Sequence, residues 1–170
     1  MTRMTSAAAS SIRISRVDYG NAADCAALVM LLDAYARDPM GGGQPLEADV
    51  RQRLCADLAR IPGAASFLAR NAAGEAVGLI NCFLGYSTFK ARPLMNVHDI
   101  IVISGQRRAG VGQALLAAAE AHARSLGCCK LTLEVLTGNT RAVASYRRFG
   151  FEPYTLDPAA GQASFMHKWL

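Results

Sequence analysis

Ile12, Ile14 and Val17 carry apolar side chains through IRISRV and predict a first strand. Asn21 then stands as a helix cap, and Cys25, Leu28, Val29, Leu32 and Tyr35 recur at helical spacing up to Asp38 and Pro39, where the helix must stop. MGGGQP, Met40–Pro45, has the composition of a mobile loop. A second amphipathic helix is predicted from Leu46 to about Ile61, with Pro62-Gly63 ending it. ASFLAR and EAVGLINCFLGYSTF flank the turn signal NAAGE and predict a hairpin. NVHDIIVIS, Asn96–Ser104, is β-branched and apolar for most of its length, as a strand buried on both faces would be. GQRRAGVGQALL then predicts a glycine bend opening a helix that runs to about Leu126. KLTLEV predicts a strand with Leu131, Leu133 and Val135 on one face, and Asn139 begins a helix that Gly150 ends. EPYTLD and ASFMHKWL predict two closing strands. With no repeat and no linker, the pattern is a single-domain α/β fold with a mixed sheet.

The length of 170 residues, 52% of them hydrophobic, suits one sizeable core. No apolar run approaches the twenty or so residues of a membrane span, so a soluble protein without a membrane partner is expected. MTRMTSAAASS, residues 1–11, has one arginine and no true apolar stretch; it is expected to be a disordered N-terminal segment rather than a signal peptide, with the domain at 12–170. Five cysteines lack CxxC spacing and a nearby HxxxH, which leaves neither a disulfide framework nor a metal site and points to reduced, mostly buried thiols in a cytoplasm. The net charge of +5 needs a partner: nucleic acid, an acidic membrane, or a small polyanion. The positive residues are scattered and not interleaved with aromatics, which disfavours the first two.

A strand running into a Gly-rich turn and then a helix leaves backbone N–H groups converging at the positive end of the helix dipole. That is an anion site made of main chain. Gly110 and Gly112 either let a phosphate approach it or serve only the turn and helix packing. Neither GxxxxGK(S/T) nor GxGxxG is present. Further on, Asn139 and Tyr146 lie seven apart and so nearly in line along one helix face. An amide and a phenol could share a ligand there; the alternatives are a helix cap and a core aromatic.

Taken together, DIIVISGQRRAGVGQALL and LTLEV...NTRAVASYRRFGF resemble the acetyl-CoA-binding core of the GCN5-related N-acetyltransferases (GNAT). R-x-x-G-x-G stands as Arg107, Gly110 and Gly112, and the family's Asn and Tyr stand as Asn139 and Tyr146. The chain departs at Arg108-Ala109-Gly110, where the family often has glycine first; any residue but proline still supplies the N–H. The resemblance implies a GNAT-like fold, a mixed sheet flanked by helices and split between strands four and five. It gives the main chain of Ile100, Ile101 and Val102 to pantetheine and the thioester carbonyl. The amides of Arg107, Arg108, Ala109, Gly110, Val111, Gly112 and Gln113 would take the pyrophosphate, and Asn139 the pantetheine arm. Acetyl-CoA is then the cosubstrate, no metal is needed, and the polyanion accounts for part of the positive charge.

The implied chemistry is direct attack of a neutral amine on the acetyl carbon, with Tyr146 as general acid for the departing thiolate. In the polyamine-acetylating branch an acidic pair occupies the equivalent of His98-Asp99, after a stretch similar to GYSTFKARP. Here histidine replaces the first acid, and an imidazole near 6.5 suits proton uptake around neutral pH. His98 is either the base or a partner of Asp99, and Asp99 orients it, attracts a cationic amine, or is a surface carboxylate. Strand alternation forbids both from facing one cleft unless a bulge intervenes. Tyr35, Asp38, Tyr86 and Phe89 are the acceptor-site candidates. The expected function is acetyl transfer to a primary amine of a small metabolite such as a polyamine or amino acid, in a protein free to act as a homodimer. A CoA-binding sensor, a protein or peptide acceptor, and a nucleic-acid-binding domain are the alternatives.

Overall fold

The computed structural model describes residues 12–107, 109–154, 157, 159 and 163–170. The N-terminal segment 1–11 and Arg108, both named above, lie outside the described residues, as does part of EPYTLD. Five strands form one sheet in the order β1-β2-β3-β4-β5: β1 Arg13–Arg16, β2 Ala64–Arg70, β3 Ala76–Ser87, β4 Arg92–Val102 and β5 Leu131–Leu133. The first four are antiparallel neighbours, and β5 lies parallel to β4. A parallel pair needs a long crossover; here it is the helix α3, Val111–Ser125.

Helices α1, Ala22–Ala36, and α2, Ala48–Leu58, cover one face of the sheet, where Leu28, Leu31, Leu58, Leu68, Leu79 and Ile101 are buried together. On the other face α3, through Leu115 and Leu116, and α4, Thr140–Phe149, pack over Phe67, Ile80, Met95 and Val97. The caps follow the sequence closely. Asn21 accepts from the Ala23 and Asp24 N–H groups at 2.9 and 3.1 Å, Asn139 accepts from Ala142 N–H at 3.2 Å, and Gly150 ends α4 at φ 107°. Helix α2 starts two residues later than the pattern predicts, because Leu46 N–H is drawn to Asp33 Oδ1 at 2.8 Å.

Three expectations are corrected. β4 is not buried on both faces: His98 is exposed, and Asn96, Asp99, Ile100 and Val102 are half-buried. The strand is irregular at that point, and β5 covers it only at Met95–Val97. The closing strands do not form among the described residues; ASFMHKWL is in no strand. Phe165, Met166, Trp169 and Leu170 remain largely exposed, so no burial offsets the entropy of ordering them, and the short β5 offers few backbone partners. Of the five free cysteines, only Cys82 is buried and the others are half-buried. No helix among the described residues is long and apolar enough to cross a membrane.

Candidate active site

The irregularity in β4 organises the site. Asn81 on β3 pairs with Asp99, but the next residue, Cys82, pairs with Val97. His98 is therefore the extra residue of a β-bulge. A plain two-residue alternation would place residues 97, 99 and 101 on one face. Instead Val97 packs in the core beneath α3, while Ile101 packs in the core beneath α1. The bulge meets the condition that the sequence set, and His98 and Asp99 face the same cleft.

Two clefts adjoin this bulge. The first, about 270 Å³, lies where β4 and β5 part and is lined by Val97, His98, Ile100, Leu133, Asn139 and Tyr146. The second, about 380 Å³, lies beneath α1 and α2, with Asn81, His98 and Asp99 against walls that include Leu54 and Phe83. Tyr35 and His98 line both clefts. Groups held in the two clefts would thus meet at these side chains.

From Ile100, which lines the first cleft, β4 runs on to Val102 after its last β5 partner, Val97, so that edge carries main chain without a ladder neighbour. Gly110 caps α3 in the left-handed region at φ 79°, and no side chain caps the N-terminus of the helix. A Cβ on Gly112 would meet only Val102 Cγ2, at 3.9 Å, so the fold leaves that position open. The main chain of Ala109 to Gln113 thus borders a free helix terminus, with Val111 itself buried. The Gln113 side chain is held toward α4, since its Nε2 donates to Ser145 O and Oγ at 3.1 and 3.0 Å. Arg107 is similarly committed: its Nε donates to the Val102 carbonyl at 3.1 Å and its guanidinium pairs with Asp38 at 3.4 Å. Asp38 lines neither cleft; Met40 N–H first, and then Arg107, hold its carboxyl below the usual range.

Asn139 and Tyr146 face the first cleft together, with Ala142 between them on the same side of α4. Both alternatives for each also hold, since Asn139 caps the helix and Tyr146 packs edge-on to Phe151 at 6.0 Å between centroids. Burial, with a smaller contribution from Tyr35, pushes the Tyr146 phenol up to about 12. Tyr35 is itself raised by burial, then by the charges of Asp99 and Asp38. Tyr86 and Phe89 are 62% and 94% exposed near the tip of the β3–β4 hairpin and line neither cleft.

Sequence reasoning missed what stands behind Asp99. Asn81 Nδ2 donates to Asp99 Oδ2 at 2.9 Å, Ser66 Oγ donates to Asn81 Oδ1 at 2.6 Å, and Tyr19 Oη lies 2.8 Å from Ser66 Oγ. A carboxylate only accepts, which fixes the Asn81 amide; Ser66 must then donate to Asn81 and accept from Tyr19. Burial pushes the Tyr19 phenol up, which keeps it a donor. The signal was a lone asparagine inside the apolar run GLINCF: a buried amide needs partners. Nearby, burial and then the Asp99 charge push the Cys82 thiol up to about 12, leaving it protonated and a poor nucleophile.

Residues 28–151 match the profile of the Acetyltransferase (GNAT) family. Streptothricin acetyltransferase of Streptomyces lavendulae is 35% identical over 99 residues, which is 58% of this chain and 50% of that protein. Mycothiol acetyltransferase of Saccharomonospora viridis is 34% identical over 101 residues, 58% of this chain and 33% of that protein. The matched stretch thus spans half or less of the length of these curated relatives. Among solved structures, the aminoglycoside N-acetyltransferase AAC(6')-Iy in complex with CoA superposes with a TM-score of 0.72 at 21% identity, over 94% of this chain and 95% of that one, a likeness of fold.

Proposed function

Because the chain belongs to the acetyltransferase (GNAT) family, we propose that it transfers the acetyl group of acetyl-CoA directly to a primary amine of a small metabolite. The observation that carries this reading is the bulge at His98, where the two clefts adjoin. The first cleft and the main chain leading on from it fit the cosubstrate: the unladdered β4 edge at Ile100, Ile101 and Val102 suits pantetheine, and the uncapped, open start of α3 suits the pyrophosphate. Among the described residues Arg107 and Ala109 to Gln113 would give main chain to the pyrophosphate, and Asn139 would border the pantetheine arm. Bound there, acetyl-CoA supplies the activated acetyl group as a thioester.

The chain's own groups manage two protons. Tyr146 Oη holds the one that the departing sulfur needs. A phenol near 12 is a weak acid in water, but the burial that raises it also raises a thiolate in the same cleft, so donor and acceptor stay matched. His98 takes the proton of the amine, while Asp99 attracts the incoming ammonium and orients it toward the bulge. Tyr35 closes the junction.

The test is incubation with acetyl-CoA and a mixture of primary amines, followed by free-thiol release and mass spectrometry of the amines. N-acetylated amine in step with thiol is the expected result. Tight acetyl-CoA binding without turnover of any amine would instead indicate a CoA-binding module.

A further inference from the structure

The second cleft differs from what a polycationic acceptor requires. Among the described residues, Asp99 is the only carboxylate lining it. The acidic residues of α2 are engaged elsewhere: Asp49 and Asp57 pair with Arg53 at 3.4 and 3.2 Å. Beside Tyr35, Ala36 and Gly41, the walls are the apolar Leu32, Leu46, Leu54, Leu58, Ile61 and Phe83. At about 380 Å³ the cleft lies at the small end of ligand pockets.

We propose that this cleft selects an amphipathic monoamine, one ammonium attached to a compact branched or aromatic hydrocarbon, over diamines, polyamines and aminoglycosides. The inference rests on the acetyl-transfer reading and specifies its acceptor. A single charge is provided for, and it is held firmly. The chain Tyr19–Ser66–Asn81 points every donor toward Asp99, so the carboxylate is oriented by buried groups, Ser66 being 1% and Asn81 3% exposed. An amide in the middle of that chain does not pass protons readily, so the chain positions Asp99 rather than draining the amine's proton. Asp99 beside the bulge brings the nitrogen to His98, and the rest of the acceptor lies against leucine, isoleucine and phenylalanine. A second ammonium there would be desolvated with no second carboxylate to pair with, whereas a hydrocarbon gains from burial.

The experiment compares kcat/KM at saturating acetyl-CoA for 2-phenylethylamine, isoamylamine, ethylamine, putrescine and spermidine. Phenylethylamine and isoamylamine should exceed putrescine and spermidine by roughly 10- to 100-fold, the range expected for burying a few hydrocarbon groups. Ile61 is an exposed wall residue outside the proton-handling groups, so Ile61→Asp adds a second carboxylate without opening the core. It should narrow that ratio with acetyl-CoA affinity unchanged. Putrescine or spermidine matching or exceeding the apolar monoamines in the wild type overturns the inference while leaving acetyl transfer intact. Should no amine release thiol although acetyl-CoA binds, the acetyl-transfer reading falls. Calorimetric titration of the same amines into the CoA-loaded protein then decides the inference, which stands on a preference for the apolar monoamines and falls on equal, reversed or absent binding.

Discussion

The two clefts that adjoin His98 are built on opposite principles. The first opens at Ile100 on the edge of β4 that carries no ladder neighbour, with Asn139 at the cap of α4, and beyond it β4 leads on to the uncapped start of α3. The second is made of side chains from α1, α2, β3 and β4, with one charge tied to three polar residues. A ligand common to many proteins can be held by backbone, which every sequence supplies. Discrimination among acceptors has to be written in side chains, and here those side chains are mostly apolar.

This contrast can be broken at either cleft. The largest effect is expected from Tyr146→Phe, which removes the proton proposed for the leaving sulfur: kcat should fall by about 10²- to 10⁴-fold with acetyl-CoA affinity nearly unchanged. The raised phenol adds a pH signature. With its pKa near 12, Tyr146 stays protonated through the neutral and moderately alkaline range, so it contributes no alkaline loss of kcat below about pH 10. A loss assignable to Tyr146, absent in the Phe variant, would contradict the buried setting described.

Next comes Asp99→Asn, which keeps an acceptor for Asn81 but removes the charge. Breaking one side of a buried charge pair costs at least about 2 kcal/mol, so kcat/KM for a cationic acceptor should fall by roughly 30-fold or more. Calorimetry should find acetyl-CoA binding unaltered. Gly112→Val acts on the cosubstrate side, in the first turn of α3. It should weaken acetyl-CoA by about tenfold or more, near 1.4 kcal/mol, while circular dichroism and melting stay native, because the fold leaves that position open. If each substitution disturbed both ligands equally, the clefts would not be separate devices.

The order of elements was legible because it rests on local signals: period-2 and period-3.6 patterns, Asn21 and Asn139 as caps, Gly110 and Gly150 at positive φ. The closing strands were misjudged because alternation in ASFMHKWL says nothing about whether a partner edge is available. In the candidate site, Asn139, Tyr146 and the glycine bend are local in sequence and were readable. Asn81, Ser66 and Tyr19 were not, since their connection to Asp99 crosses three strands' worth of register and depends on a bulge that shifts one strand face. Tyr86 and Phe89 show the converse error: proximity in sequence to a strand of interest did not bring them to a cleft.

The smallest expected effect concerns that hidden chain. Ser66→Ala leaves Asn81 Oδ1 buried without its donor, and should cost about 1–3 kcal/mol of stability in chemical denaturation. It should also raise KM for the amine several-fold, with KM for acetyl-CoA unchanged. Tyr19→Phe should do the same more weakly, since it removes only the outermost donor.

The central claim is that amine and thioester meet directly where the clefts adjoin, with no acetyl group parked on the protein. The protonated Cys82 thiol supports it. Initial-rate kinetics with acetyl-CoA and an accepted amine both varied, paired with intact-protein mass spectrometry after acetyl-CoA alone, test it most directly. The account predicts intersecting double-reciprocal lines and an unmodified protein. Parallel lines together with one added acetyl group on the chain would contradict it.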